Sequence, residues 1–446
     1  MLPFKNETPT SGVNNPLADE YEMLSGTSIF NMKRLIGRLD TDPAVHAGNL
    51  PFQVQTLNIS ARPLISVLKN NMWSFDHLQT SLKTLFGELK VMAETCLDRP
   101  VLNVVLTFPV SFNRLQLSLL TRACLEVGLR VLSLIPEPTA VALLYAQQQK
   151  QIMQENMGSG SEKVALIFNM GAGFCDVSVT TATGGVCRIR GLAGATLGGE
   201  DILQNTMRYL CPDMDGYFSR HSDEIQKMGR LRIATQDAIH KLSIKPSAEI
   251  DVDLGNGTKI NKVLEREEFE EVNRDVFEKC ASLINQCLHD ANIEADKVND
   301  VILVGGCSNI TKIWRMVIDI CGKEELYLGM NPLEAAVCGA ALEVHDNQTE
   351  ALILVYEGNE EAIEKNHLLG YFKITGIPQA PKGGQVIEVC MENFSLFYLR
   401  VIARVIDNDE LSAPMEVWMP TVDEMGGLCA EAIYRTYGST LDLATV

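Results

Sequence analysis

Three glycine-rich turns constrain what this chain can fold into more than any other feature of its sequence. Gly171-Ala172-Gly173 follows the strand-length apolar run VALIFN, Gly198-Gly199 opens onto Glu200-Asp201, and Gly305-Gly306 follows VILV. A glycine turn beside a regular element tolerates positive φ and leaves backbone N–H groups open to an anion, because no side chain stands in the way. One Gly-x-Gly alone is most often a plain turn. Three in order, each joined to a strand or helix, point to an α/β domain that cradles phosphate.

The stretches between the turns fit that class. From Pro63 a helical apolar pattern runs through Leu82, Leu85, Leu89 and Met92, followed by the strand VLNVVLTFPV at 101–110. A helix with Leu115, Leu119, Leu120 and Cys124 on one face ends at Gly128, and the strand VLSLI begins at Val131, which makes a βαβ unit. The runs VALIFNM, CDVSVTTA and VCRIRG, separated by the first glycine turn and by Gly184-Gly185, read as consecutive hairpins. Helices are predicted around Arg230 to Leu242 and from Glu267 to His289, where Cys280 and Cys287 fall on the apolar face, and the last helix opens at Asn331-Pro332. Near His345 the alternation gives way to strands alone, ALILVYEG, LLGYFKITGI, GQVIEVCM and FYLRVIARVI, which predicts a small antiparallel β domain. The expected organisation is a loosely ordered start at 1–27, an α/β domain at 28–345, a β domain at 350–420 and an irregular tail at 421–446.

Charge and cysteines narrow the setting. A formal charge of −19 repels phosphate backbones and anionic lipid, so neither nucleic acid nor a membrane is an expected partner. The amino terminus has neither the basic start nor the apolar run of a secretion signal, and a cytoplasmic chain is expected. The 12 cysteines form no Cys-x-x-Cys pair and lie mostly in apolar surroundings, which reads as buried reduced thiols. The seven histidines are scattered, with no pair at metal-ligand spacing, so no metal site is expected from them.

Four segments then carry a specific resemblance. IPEPTAVALLYA (135–146), FNMGAGFCDVSV (168–179), LAGATLGGEDI (192–202) and ILVGGCSNITKI (302–313) resemble, in order and spacing, the signatures of the seventy-kilodalton heat-shock (DnaK-type) chaperones. FNMKRLIGR (30–38), TFPVSFN (107–113), NPLEAAVCGAAL (331–342) and LLGYFKITGIPQAPKG add to it. The resemblance implies an actin-like, two-lobed ATPase domain that uses ATP or ADP with Mg²⁺, followed by a β-sandwich that grips apolar peptide and works with cochaperones.

The departures from that family shape the expected function. Glu137 matches a family catalytic carboxylate, although an acid after Pro136 is also what a helix start would take for structural reasons. Asp176 is retained, but Asn169 stands where the family has Asp and cannot carry the charge that orients metal-bound water. Ala172-Gly173-Phe174 replaces Gly-Gly-Thr, so a ring stands in place of a hydroxyl, while Gly171, Gly198, Gly199, Gly305 and Gly306 keep the backbone cradle. On the adenosine side Gln236 and Ile239 replace Glu and Lys, Ser243 is kept, and Asn309 replaces a stacking arginine. Pro109 matches the interdomain switch proline, whereas Leu117 stands where an arginine relay is expected. No first phosphate loop is found before Ser28, and an ungapped alignment puts the family's catalytic lysine on Ala18.

The acidic-leucine linker, the first sandwich strands and the lid helices are not found either. The resulting expectation is an actin-like domain with lobe one incomplete and a partial antiparallel β-sandwich. Its ATP site is degenerate, and its grip on unfolded or apolar peptide is weak. Two alternatives stand beside it: an active ATP-hydrolysing chaperone, and a truncated splice form or gene model of a longer one.

Overall fold

Short strands occupy part of the stretch expected to be loosely ordered. The computed structural model describes residues 2–5, 8–9, 28–29, 31–38, 42, 53–56, 63–69, 72–155, 162–183, 186–212, 222–255, 257–342, 350–357, 367–375, 386–395, 398–407, 410–411 and 415–420. Within it β1 (Leu2–Lys5) pairs with β2 (Thr8–Pro9) and with β3 (Ser28–Ile29), both antiparallel. Ala18, Gly184-Gly185 and the tail at 421–446 lie outside the described residues.

After the short helix α1 (Met32–Leu35) come β4 (Gln53–Thr56), β5 (Pro63–Lys69) and β6 (Met72–His77), a three-stranded antiparallel sheet, and then helix α2 (Leu78–Leu97). The helical reading from Pro63 is therefore corrected: the stretch up to His77 is a hairpin. Its sequence signal is Asn70-Asn71, a turn-type pair between runs that carry β-branched Ile65 and Val67.

The βαβ unit forms as read. Strand β7 (Asn103–Phe108), helix α3 (Arg114–Glu126) and strand β8 (Arg130–Pro136) bring β7 and β8 into parallel register. Helix α3 starts at a capping box in which Asn113 and Gln116 exchange side-chain and backbone hydrogen bonds of 2.9 and 3.0 Å. The amide of Gln116 reaches on to the Ile36 carbonyl at 3.0 Å, fixing α1 to α3. Leu35, Ile36, Ile65, Leu78, Leu82, Phe112, Leu120 and Ala123 form the buried core of this first lobe.

The second lobe is built on one sheet. Helix α4 (Glu137–Glu155) leads to β9 (Lys163–Met170), β10 (Cys175–Thr183) and β11 (Val186–Ala195), the expected antiparallel hairpins. Helices α5 (Gly199–Leu210) and α6 (Ser222–Leu242) precede a hairpin of β12 (Ser247–Gly255) and β13 (Thr258–Glu265). The sequence signal for that hairpin is the Asn-Gly pair at 256–257, of the kind that two-residue turns favour.

The helix expected from Glu267 to His289 is two, α7 (Arg266–Val272) and α8 (Arg274–Asp290), broken at Asn273. Asn273 is buried there and donates to Thr206 Oγ1 and to the Phe269 carbonyl. Strand β14 (Asp300–Val304) lies parallel to β9, so the sheet order is β11-β10-β9-β14, and α9 (Thr311–Cys321) and α10 (Ala335–Leu342) follow.

Period-two alternation sends Leu166, Phe168, Met170, Val301 and Leu303 to one face, against α5, α8 and α9. Ala165, Ile167, Ile302 and Val304 go to the other, against Val141, Ala142 and Tyr145 of α4. Helices α4 and α10 cross closely: a Cβ on Gly339 would lie 1.7 Å from the Ala140 carbonyl oxygen.

Cys124, Cys175, Cys280, Cys287, Cys307 and Cys321 are buried, as their apolar settings suggested, and none is disulfide-bonded. Burial pushes the thiols of Cys124, Cys287 and Cys321 up to about 11 and that of Cys307 to about 12.

The chain divides into two compact units, Met1–Glu343 and Val344–Val446. In the second, β15 (Glu350–Glu357) pairs with β16 (His367–Thr375), and β17 (Val386–Ser395) pairs with β18 (Tyr398–Asp407). Strand β18 also takes β19 (Glu410–Leu411) and β20 (Met415–Pro420), two strands not anticipated from the sequence. Every described pairing in this unit is antiparallel. Among the described residues no helix is long and apolar enough to cross a membrane.

Candidate functional site

Asn169 and Asp176 stand directly opposite each other on β9 and β10. Cross-strand partners project to the same face with Cβ atoms roughly 5 Å apart, and here that face is the one covered by α4. The first residue of α4 is Glu137, delivered by Pro136 at the end of β8. Strand pairing and one helix start thus assemble three residues that are far apart in the chain.

The contacts within the group set its charge. Asn169 donates its side-chain amide to Glu137 Oε2 at 2.8 Å, and Lys33 donates to Glu137 Oε1 at 2.8 Å. Both carboxylate oxygens of Glu137 are therefore engaged. Asp176 is fully buried; its Oδ1 accepts the Val110 N–H at 3.2 Å, and its Oδ2 has no protein partner. Burial first, and the charge of Glu137 second, push the Asp176 carboxyl up to about 8 against the opposing pull of the Val110 N–H and Lys33. At neutral pH Asp176 holds its proton.

Lys33 is the residue that sequence reasoning missed. The lysine position was assigned to Ala18 by extending an ungapped alignment through a polar stretch, whereas the structure brings Lys33 of FNMKRLIGR to Glu137. The signal was present in a segment already singled out for its resemblance. Pro109 precedes Val110, whose N–H holds Asp176, and its carbonyl accepts the Phe112 N–H at 3.0 Å. Leu117, by contrast, packs against the first core.

The three glycine turns meet beside this cluster. Gly199 N–H donates to the Gly171 carbonyl at 3.0 Å, Glu200 N–H to the Ala172 carbonyl at 2.8 Å, and Gly198 N–H to Asp201 Oδ2 at 2.7 Å. The backbone donors at the start of α5 are thus taken by protein acceptors. The approach is close enough to require glycine: a Cβ on Gly198 would lie 2.4 Å from the Ala172 carbonyl oxygen. Gly305, at φ +86°, would bring a Cβ to 2.3 Å from the Met170 carbonyl oxygen. Gly173 lies against the Arg34 side chain, and Gly306 faces open space.

Behind the turns Glu200 makes a buried, two-pronged ion pair with Arg232, one prong being Arg232 Nη1 to Oε1 at 2.8 Å. Burial alone would raise the Glu200 pKa, but Arg232, Gln204 and Asn31 hold it down at about 2.

The adenosine-side positions are arranged differently. Gln236 and Asn309 are exposed, while Ile239 is buried in the second-lobe core. Ser243 turns its hydroxyl back to the Ile239 carbonyl at 3.2 Å, and its own carbonyl accepts from Thr311 Oγ1 at 3.1 Å. The crevice lined by Ile239, Leu242, Ser243, Phe269, Ile310 and Thr311 is too narrow to hold a water molecule. Phe174, expected beside the phosphate, is also buried. Its ring lies edge-on to Phe112, with centroids 5.4 Å apart.

Comparison with known proteins fits this geometry. The family model described as Hsp70 protein matches residues 22–345 and 343–395. The chain is similar to heat shock 70 kDa protein 8 of Arabidopsis thaliana, 49% identical over 505 residues that cover 100% of this chain and 88% of that protein. That alignment is longer than the 446-residue chain, so the relative carries residues this chain lacks. Heat shock cognate 70 kDa protein 3 of Dictyostelium discoideum is 30% identical over 439 residues, covering 84% of this chain and 68% of that protein. The heat shock 70 kDa protein of Neurospora crassa is 29% identical over 439 residues, covering 85% and 67%.

Proposed function

Because the chain belongs to the Hsp70 family, we propose that it is a heat-shock-type chaperone whose nucleotide site hydrolyses little or no ATP and whose lobes serve as a scaffold for partner proteins. The observation that carries this reading is the hydrogen bond from Asn169 to Glu137. It puts an amide donor where a metal-orienting carboxylate is expected, and it consumes one oxygen of the carboxylate best placed to act on water.

The rest of the site supports the reading. Lys33 occupies the other oxygen of Glu137 and Asn169 brings no charge, so the cluster offers little free negative charge to a divalent cation. Phe174 has no hydroxyl to offer a terminal phosphate, and the buried Ile239 has no hydrogen-bonding group to offer a ribose. Mg²⁺ with ATP or ADP therefore fits these residues poorly, and in this reading no catalytic step runs through it.

In this reading the first unit has the actin-like fold that the family implies, with its first lobe incomplete, and the second is a partial antiparallel β-sandwich. With its first strands missing, that sandwich binds unfolded or apolar peptide weakly. Cochaperones are the expected partners and the cytoplasm the expected place of action.

A second reading, an active ATP-hydrolysing chaperone, is favoured by the Lys33–Glu137 pair, which keeps a cation and an acid together at the site. Turnover of Mg²⁺-ATP by the purified chain separates the two, with Glu137→Ala and Asp176→Ala as controls for contaminating enzymes. Each missing group costs roughly a hundredfold or more in rate, so turnover equal to that of the variants is expected. Turnover that disappears in both variants would establish the second reading.

A further inference from the structure

Phe174 lies at the turn between β9 and β10 and so belongs by chain to the second lobe. Its side chain is 6% exposed, yet it is buried in the core of the first lobe, with Leu35, Ile36, Ile65, Phe112 and Leu120. A glycine-rich turn at a ligand site ordinarily keeps small or polar residues so that it can follow the ligand. A phenyl ring seated in the opposite core removes that freedom.

Polar contacts ring the same place. Arg34, from the first lobe, is itself buried and donates to Asp201 Oδ2 at 2.6 Å and to the Thr196 carbonyl at 3.3 Å. Arg38 donates to Thr196 Oγ1 at 2.9 Å, and Asn31 reaches the buried Glu200. Asp201 also accepts the Gly198 N–H, so the Arg34 ion pair ends on the cap of α5 and not on a freely turning side chain. An apolar plug beside a set of partly buried hydrogen bonds between the same two lobes has the make-up of a domain core rather than of a hinge.

We propose that Phe174 locks the two lobes together, so that their arrangement no longer depends on a nucleotide. The surface formed by the joined lobes is then presented to partners constantly, without a binding cycle. This goes beyond the reading of the nucleotide site and can fail separately from it: an unlocked chain with no turnover and a locked chain with slow turnover are both physically coherent.

Hydrogen exchange of the full chain tests the lock, alone and with saturating Mg²⁺-ADP or Mg²⁺-ATP, in the wild type and in Phe174→Thr, Phe174→Leu and Phe112→Ala. In the wild type, amides at 31–38, 108–112 and 168–176 should exchange at the same slow rate with and without nucleotide. Phe174→Thr should speed them at least tenfold while leaving α8 unchanged, and Phe174→Leu should fall between. Phe112→Ala removes the partner ring from the first lobe and should loosen the β9–β10 turn in the second as well, which keeps the test intact if Phe174→Thr does not fold. The lock is refuted if Phe112→Ala loosens α3 alone, or if nucleotide slows exchange at 31–38 and 168–176 of the wild type tenfold or more.

Discussion

Replacing Asn169 with aspartate restores the residue type expected at that position, and the structure gives its effect a sign. Asn169 is 6% exposed and donates to Glu137 at 2.8 Å. Asn169→Asp exchanges that donor for a third carboxyl group beside Glu137 and Asp176. The lost hydrogen bond contributes about 1 kcal/mol. Two like charges about 4 Å apart at an effective dielectric constant of about 20 repel by about 4 kcal/mol. Lys33 on the far oxygen of Glu137 offsets part of this, which leaves a destabilisation of about 2–4 kcal/mol at pH 8.

The new carboxyl has its pKa raised in the folded state, so the cost is largest at high pH and shrinks as the group is protonated. Urea unfolding followed by tryptophan fluorescence at pH 6 and pH 8, without added divalent metal, measures both numbers as midpoint shifts. A variant as stable as the wild type at pH 8, or one whose deficit does not shrink at pH 6, would refute the account of the cluster as crowded with acid. ATP turnover should not return in this variant.

Asp176→Asn keeps the acceptor for Val110 and removes the titration. Asp176 has its carboxyl raised to about 8 from 3.8, so its contribution to stability is fully present below about pH 4 and is lost as pH rises through 8. Melting curves from pH 4 to 9 should flatten in the variant, and an unchanged pH profile would show that Asp176 is ionised in the fold. Gly339→Ala sets a methyl group 1.7 Å from the Ala140 carbonyl oxygen and should cost more than about 2 kcal/mol as α4 and α10 are pushed apart; an unaltered unfolding midpoint would contradict the tight crossing. Arg34→Ala removes a charged hydrogen bond to the partly exposed Asp201 and should cost about 1.5–3 kcal/mol, with Arg34→Lys recovering part of it, both read from denaturant midpoints. Titration of labelled apolar peptide should give no low-micromolar affinity, on the order of −8 kcal/mol; affinity at that level would overturn the proposal of a partial sandwich with a weak grip.

What the sequence made legible followed from periodicity and from motifs. The hairpins at 163–195 and the parallel strand β14 were readable because alternating apolar residues and glycine turns are local signals. Glu137, Asn169 and Asp176 were readable as a set through the resemblance alone, and strand register then explains why they meet. The misses have physical causes. The hairpin at 63–77 escapes the sequence because the helical spacing of Leu82, Leu85, Leu89 and Met92, which belongs to α2, extends back to Pro63 without a marked break. Asn273 breaks a helix whose apolar spacing continues unbroken, since its buried side chain bonds Thr206, a contact between distant segments. Phe174 could be seen as a substitution but not as a core residue, because the pocket that receives it is built by residues 35–123.

The buried thiols give the protein a built-in chemical clock. Cys96 and Cys338 are exposed, whereas Cys124 in the first lobe and Cys280 and Cys307 in the second are shut away, and burial holds Cys124 and Cys307 as unreactive S–H groups. A neutral alkylating reagent should therefore mark Cys96 and Cys338 at once and the others only when their own lobe opens. If the labelling times of Cys124 and Cys280 are the same, one event exposes both, and the chain ages as a single body.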